Sequence, residues 1–304
     1  MRARAGRAIL CASAARDRLH AGLSRVFQRT GVVLRKLVVS FCLLLGGLAV
    51  FVLGSPYYSV FPTNRNQAYT LALALVFLVA AVALRRSRAL ARYAPSAYAL
   101  FIASAALLFL NTGLLNIRVA ATDAVQEIAL DKLGQFLHVV PVILVLTLLA
   151  RDDLKSLFIA KGNLKAGLVF GGVSFVLWAV LAYLIQSGAS GFPELTPRAV
   201  GYVLLFIFCN SVMEELWFRA IFLKRYQAVI GRAAAIVVTS LVFGASHVNA
   251  TYEFPGGGAV FGVVVFLLGV VGAYSIFRTK SLLGAVLFHA GYDLMIIVPV
   301  LNSA

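Results

Sequence analysis

Long apolar runs alternate with short polar loops along the whole chain. A membrane span needs about 20 predominantly apolar residues, and nine stretches approach that length: 37–54, 68–84, 96–115, 134–150, 165–186, 199–223, 233–249, 258–277 and 282–301. The pattern predicts an all-α polytopic transmembrane bundle of about nine spans, with eight as the lower count. Residues 116–133, carrying Asp123, Glu127, Asp131 and Lys132, read as a short external amphipathic helix before the fourth span.

The loops give an independent check on that count. Arg85, Arg86, Arg88 and Arg92 follow the second span, Arg151, Lys155, Lys161 and Lys165 the fourth, Lys224, Arg225 and Arg232 the sixth, and Arg278 and Lys280 the eighth. Every second loop is basic, so the positive-inside rule places the N-terminus in the cytoplasm and the C-terminus outside. The sequon Asn249-Ala250-Thr251 would then be external, although a three-residue match is weak. Three regions are expected: a basic cytoplasmic segment over 1–36, N-terminal transmembrane helices over 37–160, and a transmembrane core over 161–304 that holds the candidate chemistry described below. A bacterial inner membrane is the expected compartment, ahead of an endoplasmic reticulum or organelle membrane.

Composition agrees with the pattern. The chain is 62% hydrophobic and 12% charged, with a mean hydropathy of +0.94, outside the range of soluble domains. Its formal charge of +16 does not imply nucleic-acid binding, because the basic residues lie between apolar runs rather than on a soluble module. Cys11, Cys42 and Cys209 are scattered, which argues against a disulfide framework or a cysteine-based metal site.

Chemistry concentrates in the last spans. Of the 11 acidic residues, Glu214, Glu215 and Asp293 are read as lying inside apolar spans, and His247 and His289 join them. A charged group at the bilayer centre costs about 2.5–3.5 kcal/mol even on lenient scales, so such residues point to a site with partners. With a helical rise of about 1.5 Å per residue, all four of Glu214, His247, His289 and Asp293 fall roughly 13–22 Å from the cytoplasmic ends of their spans. Glu215 and Arg219 are four apart, as are Phe243 and His247, and His289 and Asp293, so each pair shares a helix face. Glu215 is expected to pair with Arg219, leaving Glu214 the freer carboxylate.

A carboxylate and an imidazole sharing a water in a low-dielectric pocket can act as general base. Glu214 and His247 fit that role, and His289 with Asp293 could stabilise an oxyanion or orient a carbonyl. Alternatively Glu214, His247 and His289 match the His₂Glu donor set of a catalytic zinc. Sequence alone leaves both open.

EELWFR, FGASH and HAGYD resemble the EExxxR, FxxxH and HxxxN/D motifs of the CAAX protease and bacteriocin-processing (CPBP/Abi) family, which includes the type II CAAX prenyl endopeptidases. The resemblance covers roughly residues 164–300. It implies an intramembrane endopeptidase in which Glu214 and His247 activate water and His289 and Asp293 serve the oxyanion, with Glu215, Arg219 and Phe243 supporting. Members of the family have been argued both as glutamate proteases and as metalloproteases; a metal-free site is favoured, with zinc as the alternative. Two departures stand out: Ala220 where the family commonly has Gly, and Asp293 where the prenyl endopeptidases use Asn. A carboxylate cannot donate to an oxyanion unless protonated, so Asp293 is expected to orient His289.

The expected substrate is a membrane-associated peptide or protein, lipidated or not, reached within the bilayer and without nucleic acid. Alternatives are a non-catalytic partner or immunity factor retaining the fold and, further off, a proton-coupled transporter. Outside the constellation, His138 is expected to be a hydrogen-bonded structural histidine, Asn210 and Ser211 to bond between helices, and Trp217, Phe218, Phe243 and Phe288 to pack.

Overall fold

The computed structural model describes residues 30–58, 60, 62–114, 121–189, 191, 193, 195–250 and 256–301. Most of the basic segment and Thr251 of the sequon lie outside the described residues. Nine helices organise the described chain: α1 (Thr30–Leu53), α2 (Thr63–Arg86), α3 (Ala94–Thr112), α4 (Ala124–Leu149), α5 (Leu164–Ala189), α6 (Pro197–Ile230), α7 (Arg232–Ser246), α8 (Gly257–Thr279) and α9 (Leu283–Val300). Eight are long and apolar enough to cross a membrane, whereas α7 has 15 residues. Among the described residues there is no strand.

Each predicted span finds a helix, and the differences lie at the ends. Asp123 caps α4, its carboxylate accepting from the Gln126 backbone N–H at 2.8 Å. Nothing breaks the helix between there and Leu149, so the expected separate external helix is corrected: Glu127, Asp131 and Lys132 belong to the same 26-residue helix as the fourth span. The cap supplies the start that hydropathy alone could not locate. At the other end of the site, α7 stops at Ser246 with His247 at its C-cap, so the seventh element is shorter than 233–249 predicts.

The helices pack by two different means. Where α5 meets α9, small residues let the backbones approach: a Cβ at Gly171 would lie 2.7 Å from Leu287 Cβ and 2.9 Å from the Gly284 carbonyl oxygen. Such close crossings are the usual means of helix association in lipid. Between the N-terminal helices and α6, aromatic side chains fill the space. Phe51 of α1 meets Phe218 and Trp217 with ring centroids 4.2 and 5.2 Å apart. The Trp217 indole N–H donates to the Ala103 carbonyl of α3 at 3.3 Å. The opposite face of α5, with Val169, Val173, Val176, Leu177 and Leu184, is exposed. An apolar exterior around a helical bundle suits hydrocarbon, where every backbone group must be satisfied within the helix; this is an integral, multi-pass membrane protein.

Candidate active site

The site is built on α6. Thr196 caps its start, accepting from the Ala199 N–H at 3.2 Å, and Pro197 occupies the first turn, where its missing N–H costs nothing. Further along, Glu215–Ala220 form a π-helical segment directly after Glu214. Such widened turns occur disproportionately at functional sites, and none of the sequence patterns announces this one.

Glu215 and Arg219 form the expected intrahelical pair, with Arg219 Nη1 2.7 Å from Glu215 Oε1. Both are almost fully buried, at 2% and 1% exposure. The guanidinium lies over the Phe243 ring at 3.9 Å, a cation–π contact that ties α6 to α7. Phe243 therefore does more than pack. Its carbonyl also accepts from His247 Nδ1 at 2.8 Å, which fixes the imidazole.

His289 is held by the same carboxylate. Its Nδ1 donates to Glu215 Oε1 at 2.9 Å, while its Nε2 lies 3.6 Å from Asp293 Oδ1. The direct hydrogen bond thus comes from Glu215 on α6 rather than from Asp293 one turn away, correcting the expectation that Asp293 orients the ring. Asp293 instead accepts from the Asn210 amide, at 3.2 and 3.1 Å to its two oxygens. That is the interhelical bond expected of Asn210. Ser211 differs, its hydroxyl donating to the Ile207 carbonyl of its own helix at 2.5 Å.

With both Nδ1 atoms committed, both Nε2 atoms turn toward Glu214. His247 Nε2 and His289 Nε2 each lie 3.6 Å from Glu214 Oε2. Glu214 also has a cation near it, correcting its description as the freer acid: Lys132 Nζ of α4 lies 3.8 Å from Oε1. Lys132 is only 8% exposed. Three carboxylates thus meet two basic side chains, Lys132 and Arg219, and two imidazoles.

Two cavities open on this cluster. One, about 40 Å³ of space open to water centres, is lined by Asn210, Glu214, His247, His289 and Asp293, with Lys132 at its edge. A single water needs roughly 10–15 Å³ on that measure, so the cavity holds a few. The other, about 90 Å³, is mainly apolar, with Phe51, Leu107, Met213, Trp217 and Phe218 in its walls, and shares Lys132, Glu214 and His247 with the first. Trp217 and Phe218 pack as expected, and they also shape this chamber; Phe288 borders the first cavity while stacking near Phe170 and Trp178. His138, which lines neither cavity, donates from Nδ1 to the Gly134 carbonyl at 2.7 Å, the structural role expected of it.

The donor chemistry of Glu214, His247 and His289 resembles that of a zinc site, and the anchored Nδ1 atoms orient the rings as outer partners of metal ligands do. Among the described residues, however, no group of three His, Cys, Asp or Glu side chains is arranged to hold an ion. The Lys132 ammonium stands beside the same carboxylate.

A helical membrane bundle enclosing buried carboxylates and imidazoles around a water-sized cavity defines the class: a polytopic membrane protein with a buried cluster of ionisable side chains among its helices. Residues 196–295, about a third of the chain, match the family model described as "Type II CAAX prenyl endopeptidase Rce1-like", so this segment is similar to that family of proteases. The match spans all three motifs singled out above, from Glu214 to Asp293. No curated protein and no solved structure matches the chain.

Proposed function

We propose that the protein is an intramembrane endopeptidase that hydrolyses a peptide bond of a membrane-associated protein or peptide, with Glu214 and His247 activating the water. One observation carries the reading: Glu214 Oε2 faces two imidazole Nε2 atoms at 3.6 Å each, across a cavity of water size. Polar groups separated by more than about 3.5 Å are commonly bridged by water. A water in the adjoining cavity, within reach of both groups, touches a carboxylate that can take its proton and an imidazole that can orient it. General base catalysis by a positioned group contributes typically 10²–10⁴-fold.

The sequence of events uses residues already in place. Water held by Glu214 and His247 attacks the carbonyl carbon, and its proton passes to Glu214. The carbonyl electron pair moves to oxygen, where His289, as an imidazolium whose Nδ1–H is held by Glu215, can donate from Nε2. Collapse re-forms the carbonyl, and Glu214 returns the proton to the departing amine. Glu215 and Phe243 keep the two imidazoles aimed, and Asn210 holds Asp293. The apolar chamber beside Glu214 suits hydrophobic side chains or a lipid group of the substrate, so a prenylated CAAX peptide is the first probe. No metal step is required, and the favoured site is metal-free. The protein resides in the bacterial inner membrane with its N-terminus in the cytoplasm, in keeping with the basic loops.

The test compares cleavage of a farnesylated CAAX peptide by membranes containing wild type, Glu214→Gln or His247→Ala, with and without a chelator. Cleavage lost in both variants and insensitive to chelation is expected. Wild-type rates in both variants would overturn the reading in favour of a non-catalytic partner that retains the fold. Loss on chelation would replace its metal-free part with zinc held by Glu214, His247 and His289.

A further inference from the structure

We infer that Lys132 is a catalytic residue whose ammonium donates to the oxyanion of the tetrahedral intermediate, an inference that rests on the peptidase reading above. Attack on a carbonyl inside a low-dielectric cavity builds negative charge on oxygen, and donors aimed at that charge are commonly the largest single contribution to such catalysis. The site has few groups that can supply it. Both oxygens of Asp293 already accept from Asn210, and an ionised carboxylate has no proton to give. His247 Nε2 faces the water position at Glu214. Arg219 is bound to Glu215 and covered by Phe243. Among the described residues lining the first cavity, that leaves His289 Nε2 and Lys132 Nζ as donors facing the reacting atoms.

Lys132 is placed for the task. It lines both the water-sized cavity and the apolar chamber, so a substrate lying in the chamber with its carbonyl at Glu214 passes beside the ammonium. Its 3.8 Å separation from Glu214 Oε1 is longer than a direct hydrogen bond, and a lysine on its four-carbon stem can turn from that carboxylate to a nearby oxyanion. Isolated burial of an ammonium in such surroundings is expensive, and the acid it faces offsets part of that cost.

The step balances as ordinary hydrolysis. The water oxygen bonds to the carbonyl carbon, its proton goes to Glu214, and the carbonyl π pair becomes the oxyanion lone pair facing Lys132 and His289. As the C–N bond breaks, that pair re-forms the C=O bond and the proton moves from Glu214 to the amine nitrogen. Lys132 keeps its proton throughout.

The experiment uses full-length protein in detergent or nanodiscs and the farnesylated CAAX peptide as probe. It measures kcat and KM for wild type, Lys132→Met, Lys132→Arg and Glu214→Gln, with thermal unfolding to establish folding. Removal of one oxyanion donor typically lowers kcat by about 10²–10³-fold, so Lys132→Met is expected to lose roughly that in kcat with KM within threefold, and Lys132→Arg to recover at least tenfold of it. A folded Lys132→Met enzyme with kcat within threefold of wild type, or one altered only in KM, would overturn the inference while leaving the peptidase reading intact. Should Lys132→Met fail to fold, Lys132→Arg decides on its own terms: a folded enzyme with kcat unchanged or within about 30-fold supports an ammonium-type donor, and a folded but inactive one refutes it. If Glu214→Gln cleaves like wild type, or wild type neither cleaves the probe nor binds a phosphinic peptide mimic of the tetrahedral intermediate, the peptidase reading itself fails, and this inference with it.

Discussion

The Glu215–Arg219 pair is the most exacting place to test the structural reasoning, because both side chains are buried and one of them also positions His289. Arg219→Met removes the guanidinium while keeping an unbranched apolar side chain of similar length. It leaves Glu215, 2% exposed, with the His289 Nδ1 bond at 2.9 Å and nothing replacing the 2.7 Å contact to Arg219. Breaking a buried ion pair by removing one partner costs about 3–5 kcal/mol. Loss of the stacking on Phe243 at 3.9 Å adds about 1–2 kcal/mol. The expected destabilisation is therefore roughly 4–7 kcal/mol, enough to leave little folded protein if the native margin lies near the lower end of the usual ~5–15 kcal/mol. Removing both charges together, in Glu215→Gln with Arg219→Met, should cost less than Arg219→Met alone, because no charge is then left buried without its partner. Reversible unfolding in mixed micelles, titrated with SDS and read by tryptophan fluorescence, measures all four corners of the cycle. The reasoning is refuted if Arg219→Met lies within about 1 kcal/mol of wild type, or if the double variant is the least stable of the four, since buried pairs are expected to be coupled by 0.5–3 kcal/mol.

Other perturbations reach different parts of the molecule. Asn210→Ala removes both hydrogen bonds to Asp293 and should destabilise by about 1–3 kcal/mol, the usual cost of leaving a buried polar group unsatisfied, in the same titration. Phe243→Leu keeps the carbonyl that holds His247 but loses the ring under Arg219, so stability should fall by about 1–2 kcal/mol with cleavage retained within tenfold. Gly171→Val places methyl groups where Leu287 Cβ and the Gly284 carbonyl already stand, and overpacking of this kind costs typically 1–3 kcal/mol; the melting temperature in detergent should drop. Asp152→Asn weakens the 2.6 Å contact with Arg225, and because Asp152 is nearly half exposed the change should stay under about 1 kcal/mol.

Much of this was legible in the chain. Runs of apolar residues are a strong signal because a bilayer admits so few structures, and each of the nine predicted spans has its helix. The acid and histidine positions were legible for the same reason: in hydrocarbon an ionisable residue stands out. What could not be read were relations across helices. The i, i+4 spacing pointed from His289 to Asp293, yet the closer partner is Glu215, 74 positions earlier. Lys132 was grouped with Asp131 and Glu127 as external polar sequence, because its partner is on α6 and no local pattern names it. A signal did exist: Val125, Ala129, Lys132, Val139, Ile143 and Thr147 recur on one helical face, and all are buried. A lysine on the apolar stripe of a capped helix is a stronger candidate than one on the polar stripe. The π segment beside Glu214 depends on packing and leaves no trace in residue order.

The shortness of α7 has a consequence for the lipid around it. Fifteen residues at about 1.5 Å each reach roughly 22 Å, against a hydrocarbon core of about 30 Å, whereas the 34 residues of α6 reach roughly 51 Å. The bilayer beside the His247 end of α7 is therefore mismatched to its protein neighbour, and hydrophobic mismatch is relieved by local thinning at a fraction of a kcal/mol per Å. A dimple at that edge would shorten the path from headgroups to the buried acid and histidines. Acyl-chain length then becomes a control variable for this protein: bilayers of short-chain lipids, already matched to the dimple, should support faster turnover than long-chain ones with the same headgroup.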